Sequence, residues 1–230
     1  MNPAIFREYD IRGVVDRDLT KETVRELGRG AGSYFARLGI KRIAVGRDCR
    51  PSSDFFFEAL LEGLLGSGIQ VIDVGVCPTP LLYFSIVHLA QEGGMMITGS
   101  HNPPEFNGFK VCVGKDAIYG GEIRCVRKII EKRDFICGKG SLARHDIIKD
   151  YHQYVLSNIR LKRQIKVAVD AGNGTGGVIG VPIMRELGCQ VKSSTARWMA
   201  GFPIIIRTPR LKITSETSSP WFRKRGQILG

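Results

Sequence analysis

The sequence predicts a layered α/β/α domain followed by a second, shorter α/β segment. Two observations lead there. From residue 20 to about 135, short apolar runs alternate with segments of helical period, the pattern of strands and helices stacked in layers. The connections between them are glycine- and proline-bearing loops, such as GRDCRP at 46–51 and CPTP at 77–80, which punctuate regular elements. A length of 230 residues suits one large domain or two small ones with real cores.

Taken in order, residues 6–13 place Phe6, Tyr9 and Ile11 among charges, as an edge strand leading to a glycine turn would. Residues 20–38 read as an amphipathic helix. Thr20 caps it with Thr23 close by, and Val24, Leu27, Ala31, Phe35 and Leu38 keep helical spacing. Gly28, Gly30 and Gly32 interrupt that propensity and suggest close packing on a sheet. Strands are expected at 42–46, 70–75, 94–97 and 108–113. Helices are expected at 53–65, 81–90 and within 118–135. The first domain closes near residue 140. Residues 141–150 read as a linker, and 151–159 carries a helix into the second segment. There a strand at 164–170 precedes the glycine-rich AGNGTGG at 171–177.

Charge and cysteines narrow the function classes. The formal net charge is +12, but residues 193–230 supply half of it, with seven Lys/Arg against Glu216 alone. The remaining body is mildly basic, which suits a phosphorylated small molecule as well as a nucleic acid. Cys49, Cys77, Cys112, Cys125, Cys137 and Cys189 form no CxxC pair. They are expected to be reduced, mostly buried thiols of a cytoplasmic protein. No apolar run reaches membrane-spanning length, and MNPAIFR at 1–7 is not an apolar leader. The expectation is therefore no membrane and no nucleic-acid partner; nothing in the pattern indicates an oligomeric state.

Two motifs carry chemistry. The first is TGSHNPPEFNGFK at 98–110, between two expected strands. Pro103 and Pro104 stiffen its exit, and Asn107–Gly108 is a tight-turn pair. One reading is an ordinary surface turn. The other is a loop presenting Ser100 to a phosphoryl group, with His101 and Lys110 as cations near the charge to be stabilised. The second motif, Gly172-x-Gly174-x-x-Gly177, matches a dinucleotide fingerprint after a strand and before a helix. The acidic residue expected about 20 positions further on is missing. Arg47, Asp48 and Arg50 are either an ion-pair cluster or part of a site.

TGSHNPPEFNGFK resembles the active-serine loop of the α-D-phosphohexomutases, the phosphoglucomutase/phosphomannomutase family. FREYDIRG at 6–13, GRDCR at 46–50 and DAGNGTGG at 170–177 are similar to three further segments of that family, with Cys49 where a glycine is usual. The resemblance implies the phosphohexomutase fold, with 1–140 as the first domain and 151–192 as part of an incomplete second domain. It also implies interconversion of hexose 1-phosphate and hexose 6-phosphate through a phosphoserine and a bisphosphate intermediate. By resemblance Ser100 carries the phosphoryl group, and its phosphate is one ligand of a catalytic Mg2+. His101 and Lys110 are acid/base or phosphate contacts. Tyr9, Arg12 and Asn102 face the substrate phosphates. A phosphosugar is the implied substrate and a hexose 1,6-bisphosphate the implied activator. A phosphosugar-binding module without turnover remains the other reading, beside the dinucleotide one.

The resemblance runs through residue 192 and stops. Members of the family continue with an acidic segment, FPNHHPDPT, and a helix ending in a GADLG-like turn. Codons that can encode Phe202–Pro209 and Gly226–Gly230, reread in a shifted frame, return FPNHHPDP and GADLG in order. A frameshift near residue 193 is the expectation, with 193–230 a disordered, non-native tail. The aspartate-rich metal loop, the sugar-recognition loop and the C-terminal phosphate-binding domain of the family then have no counterpart in the chain. A chain of this extent is expected to lack turnover.

Overall fold

The computed structural model describes residues 1–194 except Asn173. The chain divides into two compact units, Met1–Tyr151 and His152–Gly230. The tail expected to be disordered lies outside the described residues from 195 onward.

In the first unit, β1 (Ile11–Val14), β2 (Arg42–Arg47), β3 (Gln70–Val76), β4 (Gly93–Ile97), β5 (Phe106–Val113), β6 (Asp116–Ala117) and β7 (Ser141–Arg144) form one mixed sheet. Its order is β1-β5-β4-β2-β3-β7, with β6 against β5. Strands β4, β2, β3 and β7 run parallel, while β5 is antiparallel to β4 and to β1. An edge strand is present near the N-terminus as β1, but it begins only at Ile11, leaves Tyr9 outside, and holds Gly13 within its ladder opposite Asn107 rather than in a turn.

Helices α1 (Lys21–Arg37), α2 (Pro51–Gly66) and α4 (Gly121–Glu131) cover one face of this sheet, and α3 (Thr79–His88) packs on the other. Side chains alternate across a strand, so Ile43, Val45, Met95, Ile97 and Phe109 enter the larger core with Phe35, Phe56, Leu60 and Val126. Gly94 lies under α3: a Cβ there would stand 2.9 Å from Ile86 Cδ1. Thr20 starts α1 as expected, through a capping box with Thr23: its backbone N–H donates to Thr23 Oγ1 at 2.8 Å, and Thr23 N–H to Thr20 Oγ1 at 3.3 Å.

Three expectations need correction. Gly28, Gly30 and Gly32 do not pack on the sheet. A Cβ at Gly28 would lie 2.3 Å from the Leu60 carbonyl oxygen of α2, one at Gly30 2.4 Å from Ile130 of α4, and one at Gly32 2.7 Å from Ser67. The glycines let α1 approach neighbouring helices. Residues 141–150 are not only a linker: Ser141–Arg144 form β7 and pair with Gln70–Asp73. All four β7 side chains are exposed, so no apolar period could signal a strand held by main-chain pairing and an Arg144–Asp73 ion pair at 3.9 Å. The cysteines are not mostly buried, since Cys125 and Cys137 are exposed and Cys189 half-buried.

Burial pushes the Cys77 thiol up to about 12 and that of Cys112 to about 11. At pH 8 their thiolate fraction is then roughly 10²–10³-fold below that of an ordinary thiol. Iodoacetamide on the folded chain should label Cys125 and Cys137 first and leave Cys77 and Cys112 untouched, as peptide mass mapping would read. Equal labelling of Cys77 would show that the α3 face is open.

Helix α5 (Ile147–Asn158) spans the boundary between the units. In the second unit, β8 (Lys166–Asp170), α6 (Gly176–Glu186) and β9 (Gln190–Ser194) make a βαβ element whose two strands pair in parallel. The strand expected at 164–170 and the helix after the glycines are both there.

Candidate active site

The loop that carries Ser100 joins β4 to β5. Its base is closed by Thr98 N–H donating to the Gly108 carbonyl at 2.9 Å. Strands β2 and β4 are parallel neighbours with Arg47 opposite Ile97, so the segment after β2 stands beside the loop after β4. Catalytic groups commonly gather at such strand ends, where loops are free to vary on a rigid scaffold.

Ser100 is exposed, and its backbone takes the left-handed conformation, with φ +54°. For a residue with a Cβ that conformation costs roughly 1–2 kcal/mol. Ser100 N–H donates to Thr98 Oγ1 at 2.9 Å. The Ser100 hydroxyl lies 3.3 Å from His101 Nδ1, within hydrogen-bond reach.

Behind this loop sits Arg50, whose side chain is only 1% exposed. An arginine has five N–H donors, and here each has an acceptor. Nε donates to Asp48 Oδ2 at 3.1 Å. Nη1 donates to the carbonyls of Pro103 (2.6 Å) and Phe106 (2.9 Å), and Nη2 to those of Ser100 (3.0 Å) and Asn102 (2.6 Å). Asp48 is held in turn: it accepts from Gly99 N–H at 3.2 Å, from the Ser53 hydroxyl at 2.6 Å and from Arg50 N–H at 3.1 Å. Gly99 is required by this contact, because a Cβ there would stand 2.3 Å from the Arg50 guanidinium carbon.

Asn107–Gly108 is not a turn, contrary to the sequence expectation. Both residues lie in β5, and Asn107 is fully buried, donating from Nδ2 to the hydroxyls of Ser52 (2.8 Å) and Ser53 (3.1 Å). Gly108 is needed because a Cβ would come within 2.6 Å of the Ile11 carbonyl oxygen on β1.

Arg12 sits in β1 opposite Gly108, and Lys110 follows two residues along β5. Alternation puts both on the sheet face that α3 covers elsewhere. Arg12 pairs with Asp10, while its Nε is buried with no hydrogen-bond partner among the described residues. Lys110 is half-buried and has no carboxylate partner among the described residues. His101 is exposed and Asn102 half-buried. Tyr9 is 69% exposed, its ring centroid 6.4 Å from that of Tyr119.

Residues 3–136 match the family model for phosphoglucomutase/phosphomannomutase, alpha/beta/alpha domain I. The chain belongs to this family. It is 41% identical over 201 residues to a phosphoglucomutase of Neisseria gonorrhoeae, covering 86% of the chain and 44% of that protein. It is 44% identical over 188 residues to a phosphomannomutase/phosphoglucomutase of Pseudomonas aeruginosa, covering 82% of the chain and 41% of the relative. A solved family protein from Burkholderia thailandensis superposes with a TM-score of 0.85 at 35% identity, over 89% of the chain and 46% of that structure. The chain spans less than half the length of these relatives.

Membership in the phosphohexomutase family sets aside the dinucleotide reading of the second unit. Its glycines make a strand-to-helix turn closed by local bonds: Gly172 N–H donates to Asp170 Oδ1 at 2.9 Å and Gly174 N–H to the Ala171 carbonyl at 3.0 Å. Gly172 also has φ +56°. The family is generally Mg2+-dependent, and the described residues do not make a magnesium site. They hold no group of three or more His, Cys, Asp or Glu arranged for a metal, whereas a hard cation takes several oxygen ligands. Among the described residues no helix is long and apolar enough to cross a membrane.

Sequence reasoning paired His101 with Ser100 and placed Thr98 in the motif, but not as the acceptor of the Ser100 amide. It left Arg50 undecided between ion pair and site. The signal was GRDCR at the end of one strand and TGSH at the end of another. What was missing is that these two strands are adjacent.

Proposed function

We propose that this chain is the phosphoryl-carrying part of a phosphohexomutase, with Ser100 as the residue that takes and returns the phosphoryl group. The overall reaction is interconversion of hexose 1-phosphate and hexose 6-phosphate through a hexose bisphosphate. The observation that carries the reading is Ser100 itself: an exposed hydroxyl in a strained, left-handed backbone, on a loop braced from behind, with His101 Nδ1 at 3.3 Å. Strained residues held by their surroundings cluster at sites of chemistry.

In this reading His101 accepts the hydroxyl proton as the Ser100 oxygen bonds to phosphorus and the phosphorus–oxygen bond to the sugar breaks, the sugar oxygen leaving as a hydroxyl with a proton from solvent; in the reverse transfer the sugar hydroxyl gives up its proton and His101 returns one to the departing serine oxygen. Arg12 has an N–H without a partner among the described residues and Lys110 an ammonium without a carboxylate partner among them, both suited to phosphate oxygens. Asn102 and Tyr9 are substrate contacts in this reading, on the strength of the family resemblance. The magnesium that the family generally requires would offset charge on the phosphoryl group, with ligands drawn mostly from beyond the described residues. The substrate is a phosphosugar, in keeping with the family. The protein acts in the cytoplasm with neither nucleic acid nor membrane as partner. Residues 193–230 read as a frameshifted tail, which a one-nucleotide change near codon 193 would restore to the family's pattern.

The test is phosphate mapping. The frame-restored protein is incubated with a hexose 1,6-bisphosphate and Mg2+, then digested and mass-mapped. Phosphate is expected on Ser100, and Ser100→Ala should lower both phosphate incorporation and turnover at least ~10³-fold, the scale typical of losing a covalent nucleophile. Phosphate on another residue, or wild-type turnover in Ser100→Ala, would reject the assignment. Saturable sugar-phosphate binding with an unphosphorylated Ser100 would favour the binding-module reading.

A further inference from the structure

We infer that Arg50 is the positioning residue that holds Ser100 in its left-handed backbone conformation, and through it the hydroxyl that accepts the phosphoryl group. The inference rests on the phosphoserine reading for its purpose, and on the loop geometry alone for its substance.

Residues 98–106 leave a cluster of backbone carbonyls facing inward, those of Ser100, Asn102, Pro103 and Phe106. Buried carbonyls need partners; that of Pro103 also accepts from Phe106 N–H at 3.0 Å, where β5 begins. A single planar guanidinium meets all four, two from each terminal nitrogen, while its Nε is held by Asp48. The charge-assisted bonds offset the cost of a serine at positive φ. Asp48 also accepts from Gly99 N–H, so the pair grips the loop by a donor and four acceptors on either side of Ser100. A lysine would keep the charge but offers three donors from one point, and cannot reach carbonyls spread along a fork. Arg50 itself does not present its side chain to solvent, being 1% exposed, so it acts through the loop rather than on the phosphate.

The inference predicts a local effect. NMR on the full 230-residue chain should show Ser100 with the HN–Hα coupling of a left-handed residue. In Arg50→Lys that coupling should shift away. Amide exchange at Asn102 and Phe106 should rise at least tenfold, while Met95, Met96 and Ile97 in β4 stay within twofold. In Arg50→Ala, added methylguanidinium should return the loop amides toward wild type. If Arg50→Ala does not fold, Arg50→Lys decides alone. Unchanged loop exchange in Arg50→Lys, or equal loosening of β4 and the loop, would overturn the inference. None of these readouts uses phosphoryl transfer. An absence of phosphate on Ser100 would therefore count against the proposed function and leave the role of Arg50 intact.

Discussion

A polypeptide of these 230 residues should show no detectable mutase turnover with glucose or mannose 1-phosphate, Mg2+ and a hexose bisphosphate. Phosphoryl transfer is catalysed by positioning and by preorganised charge stabilisation, and removing a single donor of this kind typically costs about 10²–10³ in rate. Here several are lacking at once. The described residues include no metal-binding group of three or more acidic, His or Cys side chains, and the chain spans 41–46% of the relatives it matches. A rate more than ~10⁴-fold below that of the intact Pseudomonas aeruginosa relative is expected in a coupled assay. Turnover near that of the relative would show that the remaining half of those proteins is dispensable, and with it the proposed division of labour.

The second large effect is on stability. Gly63→Val should lower the melting temperature of the chain by about 6–12 °C. Helices α1 and α2 cross at their closest through two glycines. A Cβ at Gly63 would stand 2.3 Å from the Arg25 carbonyl oxygen and 2.6 Å from the Arg29 nitrogen, both backbone atoms of α1. Backbone cannot swing aside as a side chain can, so the cost lies at or above the upper end of the 1–3 kcal/mol usual for overpacking, about 3 kcal/mol. Each kcal/mol shifts the midpoint of a unit of this size by about 2–4 °C. Gly66→Ala is the control: it lies in the same helix with nothing within 4 Å of its Cβ, and should leave the midpoint unchanged or raise it. Differential scanning fluorimetry of both variants decides the matter. A Gly63→Val midpoint within 2 °C of wild type would mean that α1 and α2 can separate freely.

Local pattern was enough for most elements. Helix α1 was legible because Val24, Leu27, Ala31 and Phe35 repeat at helical spacing behind a Thr20 cap, and β4 because its apolar run ends in a loop. The nearness of Ser100 and His101 was legible for the same reason: both lie in one turn-rich stretch between two strands. Strand β7 was not, since its side chains are all exposed and its hold on β3 is main-chain pairing with one Arg144–Asp73 ion pair. The glycines of α1 showed that something comes close, but not that it is another helix. Asn107–Gly108 has the composition of a turn, and was drawn into β5 by a buried amide bonded to Ser52 and Ser53, more than fifty residues earlier. Arg50 is the clearest case. The sequence by itself determined an α/β scaffold, a serine on a loop after a strand, and an arginine on a loop after another. Only the tertiary structure decided that β2 and β4 are neighbours, which brings the guanidinium to the four carbonyls around Ser100. Strand order is set by long-range packing of whole layers, and no local period along the chain encodes it.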